Sequence, residues 1–222
     1  MDTGSMHRSA MADTSGFWEE VTPGRDLVVA VGGIAGGMDM PPYEFFGLLS
    51  DWSVSKIFLR DLDQAWYQRG VAGLGSLPAV AERLHSLRSP GANLIVGNSA
   101  GGFAALLLGA LTGFQVLAFS PQTYLGRWRR LRSRDTRWRP QVRTVRATPG
   151  AVLDLVPFLR GLPLRAEVHF AAGDRLDRHH AQRLSGLAGV SLIAHPGGDH
   201  SLIRSLRDTG ELRDLLSSRI GA

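Results

Sequence analysis

Short apolar runs alternate with longer segments of helical periodicity along most of this chain, and no other feature narrows the possible folds as far. Residues 27–31, 54–59, 93–96, 114–119, 166–170 and 190–194 are aliphatic or β-branched runs bounded by Gly, Pro, Ser or Asp, which predicts six strands. Between most of them, apolar side chains recur at helical spacing, as in Leu77-Val80-Ala81-Leu84-Leu87 and Phe103-Leu106-Leu107-Ala110. Strand followed by helix followed by strand implies right-handed crossovers. The expected fold class is therefore α/β, a mostly parallel sheet of about six strands with helices on both faces.

The 222 residues, 44% hydrophobic and 20% charged, suit one globular domain. Residues 1–22 read as a flexible leader and 23–222 as a single domain. The chain has no Cys, which excludes a disulfide scaffold, a thiolate zinc site, an iron–sulfur cluster and a cysteine nucleophile. The longest apolar stretch, from Phe103 to Leu111 and broken by Gly109, is far short of the about 20 residues that a membrane span needs. The tail before Thr22 has no continuous apolar run of the secretory type, so the expected location is the cytoplasm.

Charge is concentrated. From Arg127 to Arg146 the chain carries nine Arg against Asp135, a local net of +8 within a total of +5. This cluster lies in the stretch from Pro121 to Arg165, which is longer than a crossover helix requires and holds two predicted helices, the second near residues 151–159. An Arg-rich cap insertion over the strand ends is expected there. The cluster reads either as a solvated face or as an attractor for an anionic or carrier-bound substrate; nucleic acid is a weaker alternative, since no recognition motif accompanies Trp128 and Trp138.

Directly after the third predicted strand stands Gly97-Asn98-Ser99-Ala100-Gly101-Gly102, followed at once by the helical run from Phe103. A GxSxG between strand and helix is the setting in which a sharp turn presents a serine above the sheet edge, with small residues on both sides to permit the turn. The amide of Ala100 would then face the space where an oxyanion forms. In these motifs the chain resembles the α/β-hydrolase superfamily, from about residue 27 to 216.

That resemblance implies a nucleophile followed by an acid after a later strand and a histidine after the last one. Ser99 matches the nucleophile, Asp174 in Gly173-Asp174-Arg175-Leu176-Asp177 the acid, and His200 in Gly198-Asp199-His200 the base. Asp177 stays open as the acid, with capping of a helix near His179 as its other role. Asp199 reads as a loop-shaping carboxylate. The run Gly32-Gly33-Ile34-Ala35-Gly36-Gly37 resembles the family's oxyanion loop, with the Gly33 or Ile34 amide as second donor. About six strands are fewer than the family usually has, so its first two look trimmed away.

The implied activity is that of a serine esterase or thioesterase working through an acyl-enzyme without a cofactor. An acyltransferase or cyclase with the same intermediate, and a non-catalytic binding module, are the alternatives. Asp61, Trp66 and Tyr67, in the loop after the second predicted strand, are candidates for a substrate pocket, or simply seat that loop on the core. Residues 38–43 share that ambiguity. The pair His179-His180 reads as satisfied surface side chains rather than a metal site, and His195 as the end of a strand.

Overall fold

The computed structural model describes residues 15–34 and 43–221. Most of the expected leader, residues 1–14, lies outside the described residues, as do Ala35, Gly36 and Gly37 of the glycine-rich loop and Met38 to Pro42 after it.

Seven strands form one sheet: β1 (Phe17–Glu20), β2 (Leu27–Val31), β3 (Ser55–Leu59), β4 (Asn93–Asn98), β5 (Gln115–Phe119), β6 (Arg165–Ala171) and β7 (Val190–His195). Their order is β1-β3-β2-β4-β5-β6-β7, all parallel except β1, which pairs antiparallel with β3 through Phe17 opposite Leu59. The six expected strands are all present. β1 corrects two expectations: residues 17–20 are part of the sheet rather than of a leader, and the amino-terminal edge is less trimmed than six strands implied. A four-residue strand, FWEE, gives too short a run for alternation to announce it.

Among the described residues the helices are α1 (Phe46–Leu49), α2 (Leu77–Ser86), α3 (Ala100–Thr112), α4 (Arg127–Ser133), α5 (Arg139–Ala147), α6 (Leu155–Leu159), α7 (Arg175–Gln182), α8 (Leu202–Asp208) and α9 (Glu211–Ser217). Alternation along β2 divides the interior. Leu27, Val29 and Val31 pack with α2 and α3 on one face, while Val28 and Ala30 pack with α1, α8 and α9 on the other. Every residue of α3 except Leu111 is buried, so this helix is the centre of the first core. No described helix is long and apolar enough to cross a membrane.

The parallel order puts the carboxyl ends of β2 to β7 on one edge, where ligand sites of open α/β sheets form. Between β5 and β6 the chain forms three short helices, α4 to α6, rather than the expected two.

Candidate active site

β4 ends at Asn98 and α3 starts at Ala100, leaving Ser99 alone in the turn at φ 54° and ψ −113°. Backbone crowding dictates the neighbours. A Cβ on Gly97 would lie 2.4 Å from the Gly101 carbonyl oxygen, and one on Gly101 would lie 2.1 Å from that of Val31, so only glycine permits the turn to close against β2. The Ser99 amide donates to the Phe119 carbonyl at 2.8 Å, tying the turn to β5. Ala100 opens α3, and its amide is among the first-turn donors that lack an intrahelical acceptor.

Ser99 Oγ lies 3.0 Å from His200 Nε2, and His200 Nδ1 lies 2.8 Å from both carboxylate oxygens of Asp177. The serine is buried, the Asp177 side chain is wholly buried, and the imidazole is 30% exposed. Asp174 is the partner expected for His200, and the structure corrects this. Asp174 is the N-cap of α7, its Oδ1 accepting from the amides of Leu176 (2.8 Å) and Asp177 (2.9 Å). The helix begins at Arg175 rather than near His179, which places Asp177 in the first turn and turns its carboxylate toward His200.

An arginine completes this arrangement. Arg137, between α4 and α5, donates from Nη1 to Asp177 Oδ1 at 3.0 Å, and the same nitrogen lies 3.3 Å from His200 Nδ1. Its other nitrogens hold the fully buried Asp135 at 3.1 and 3.2 Å. Asp135 also accepts from His180 Nε2 at 3.2 Å and pairs with Arg130 at 3.3 Å. The backbone amide of Thr123 donates to His180 Nδ1, which fixes the imidazole as neutral with its proton on Nε2. Burial, eased in part by Asp135, pushes His180 down to about 4. Burial would raise Asp177, but the hydrogen bond and charge of His200, with Arg137, outweigh it and hold the carboxyl below its ordinary range.

The expected second oxyanion donor is engaged elsewhere. The Gly33 amide donates to Glu44 Oε2 at 2.8 Å, and Glu44 Oε1 accepts from Asn98 Nδ2 at 2.8 Å. Glu44 is therefore a buried carboxyl group beside the turn that carries Ser99. Burial raises its pKa against those two hydrogen bonds and the charge of His200. Ile34, the other candidate donor, is partly buried against the first core.

The loop after β3 is also corrected. Trp66 and Tyr67 are fully buried and are not pocket wall. Trp66 Nε1 donates to Gln122 at 2.9 Å, and the Tyr67 hydroxyl donates to the Gly32 carbonyl at 2.8 Å. Asp61 folds this loop by accepting from the amides of Ala65 (2.6 Å) and Tyr67 (2.9 Å), and burial pushes it up to about 6. All three thus shape or seat the loop, Asp61 from within it, Tyr67 against Gly32 and Trp66 against Gln122. Of the histidine pair, His179 is exposed while His180 is buried, contrary to a surface pair. His195 ends β7, and Asp199 accepts from the Ser201 amide at 2.7 Å within its loop.

Sequence reasoning missed Glu44 and Arg137. Neither belongs to a spaced motif: one lies far along the chain from Ser99, and the other is one arginine among nine.

No protein-family model and no curated protein matches the chain. Its backbone is nevertheless similar to solved structures. The capsule O-acetyltransferase of Neisseria meningitidis serogroup A aligns with TM-score 0.63 at 13% identity, over 91% of this chain and 93% of that one. An α/β hydrolase from a Medee basin deep-sea metagenome library gives 0.63 at 14%, over 96% of each chain. Est1E from Butyrivibrio proteoclasticus gives 0.61 at 14%, over 93% and 94%. Strand order, the turn after β4 and these likenesses agree: the chain has the α/β-hydrolase fold.

Proposed function

We propose that this chain is a serine hydrolase that cleaves an ester or thioester through an acyl-enzyme on Ser99. The observation that carries the reading is the unbroken chain of hydrogen bonds from Ser99 Oγ through His200 to Asp177. His200 Nδ1 keeps its proton and donates a hydrogen bond to the Asp177 carboxylate, leaving Nε2 free to accept the Ser99 hydroxyl proton. As Oγ bonds to the substrate carbonyl carbon, that proton moves to Nε2, and Asp177 stabilises the imidazolium. The tetrahedral intermediate collapses, the C–O or C–S bond breaks, and His200 returns the proton to the leaving group. A water molecule, deprotonated by the same nitrogen, then releases the acid and restores Ser99.

The Ala100 amide supplies one oxyanion donor. The Gly33 amide becomes a second only when the Glu44 carboxyl group turns away from it. Every step is within reach of this chain's own side chains, so the reading requires no cofactor; it takes the substrate to be a small molecule and the place of action to be the cytoplasm.

A second reading, acyl transfer to an acceptor other than water, is favoured by the likeness to an O-acetyltransferase. It shares the acyl-enzyme and differs only in what attacks it. Intact-protein mass after fluorophosphonate treatment tests both readings: one adduct is expected on the wild type and none on Ser99→Ala. Turnover of p-nitrophenyl acetate with and without alcohol acceptors then separates water from another nucleophile. A folded wild type that takes up no probe would contradict both and leave a non-catalytic binding module.

A further inference from the structure

The nine arginines between Arg127 and Arg146 divide by position. Arg137 reaches the Ser99–His200–Asp177 site, and Arg129 pairs with Asp154. Six others line one cavity of about 430 Å³: Arg127, Arg130 and Arg134 from α4 and its end, and Arg139, Arg143 and Arg146 from α5. Leu131 and Val142 complete the same two faces, so each helix contributes its i, i+3, i+4 and i+7 positions. The cluster is thus two cationic stripes with an apolar residue set into each, turned toward a common concavity.

Counter-charge is missing there. Asp135 is the one acidic residue in the lining, and it already holds Arg130, Arg137 and His180. Among the described residues, no carboxylate lies within ion-pair distance of Arg127, Arg134, Arg139, Arg143 or Arg146. Elsewhere this protein pairs its arginines readily, as in Arg83–Glu19, Arg213–Asp51 and Arg219–Glu167. The crowding is felt within the cavity: burial and then the charge of Arg127 lower Arg146. A solvated face needs no concavity and gains nothing from gathering guanidinium groups without counter-charge around one.

We propose that this cavity binds an organic diphosphate. Guanidinium forks suit phosphate oxygens, and several of them converging without a free carboxylate match a ligand carrying multiple negative charges. The volume falls within the range of small-molecule sites and exceeds what a lone phosphate would fill, while Leu131, which is exposed, offers contact for an organic body. The cavity adjoins the serine site through Asp135 and Arg137, but its ligand chemistry stands on the arginines alone. A nucleoside diphosphate and coenzyme A both present the required group.

Calorimetric titration of the wild type with ADP, coenzyme A, inorganic pyrophosphate and orthophosphate tests this at physiological salt. Saturable one-to-one binding of ADP or coenzyme A, tighter than orthophosphate, is expected, and the tighter of the two identifies the source. The double variant Arg134→Ala/Arg143→Ala should weaken it about 100-fold, roughly tenfold for each charge-assisted hydrogen bond removed. Arg132→Ala removes an equal charge from α4 outside the cavity and should change affinity by no more than about twofold. Both substituted arginines of the double variant are exposed, and Arg143→Ala alone carries the same test with about a tenfold loss should the double variant unfold.

Absence of saturable binding would overturn the proposal, as would an equal loss in Arg132→Ala. Affinity for a single-stranded oligonucleotide that exceeds ADP and grows with length would overturn it too, assigning the patch to nucleic acid. None of the probes is the fluorophosphonate of the serine test, so diphosphate binding can fail while Ser99 still takes up that label, and the converse.

Discussion

Two turns at the same edge of the sheet lead from strand to helix, and they treat the residue at the junction in opposite ways. At the β4–α3 turn, Ser99 sits at the cap position with φ 54° and makes no capping hydrogen bond. Its hydroxyl is left for His200, and the helix starts without help from that side chain. At the β6–α7 turn, Asp174 has extended geometry and bonds two helix amides, so its carboxylate is committed to the backbone. The carboxylate that faces His200 comes one turn later, from Asp177. A polar side chain at a helix start can satisfy the helix or serve a site; here each turn does one of the two.

Substitutions can break this contrast. Ser99→Ala should lower esterase turnover by up to about 10⁶-fold, measured against p-nitrophenyl acetate, while the protein stays folded. Asp177→Asn should lower it by roughly 10³- to 10⁴-fold, since the amide no longer enforces the imidazole tautomer in which Nε2 accepts. Arg137→Met leaves the buried Asp135 short of a cation and should cost on the order of 3 kcal/mol in urea unfolding.

A pH series sharpens the contribution of the cap side. His180 is held neutral in the folded protein with its pKa pushed down to about 4, so the unfolded chain binds the extra proton first as pH falls. Stability from this group is complete above about 6.5 and is lost progressively as pH falls toward 4, by roughly 3 kcal/mol. His180→Gln should be less stable than wild type at pH 7 but show a shallower loss between about pH 7 and 4.5; buried carboxyl groups such as Asp61 contribute equally to both and cancel. The smallest effect expected is Asp174→Ala, about 1 kcal/mol from the lost cap, with turnover within a few fold of wild type.

The difference between the two turns also explains how much the chain discloses. The Ser99 turn is legible because its geometry demands glycine at Gly97 and Gly101, where backbone atoms would meet any Cβ. Strands β2 to β5 are legible because buried parallel strands are continuous apolar runs. The acid is not, since Asp174 and Asp177 both follow a strand and only the start of α7 separates a cap from a first-turn side chain. Trp66 and Tyr67 are ambiguous for a related reason: aromatic residues near a sheet edge either line a pocket or anchor a loop, and burial decides. Arg137 and Glu44 act through contacts between distant segments, which no local spacing encodes.

What matters most in the proposed site is that Asp177, and not Asp174, completes the Ser99–His200 pair. The most direct test is the rate of fluorophosphonate adduct formation at Ser99, followed by intact mass, in Asp177→Asn and Asp174→Asn side by side; asparagine keeps the cap at position 174, so both proteins should fold. Labelling slowed by about 10³-fold or more in Asp177→Asn, and near the wild-type rate in Asp174→Asn, is the expected result. Slow labelling in Asp174→Asn with a normal rate in Asp177→Asn would contradict it.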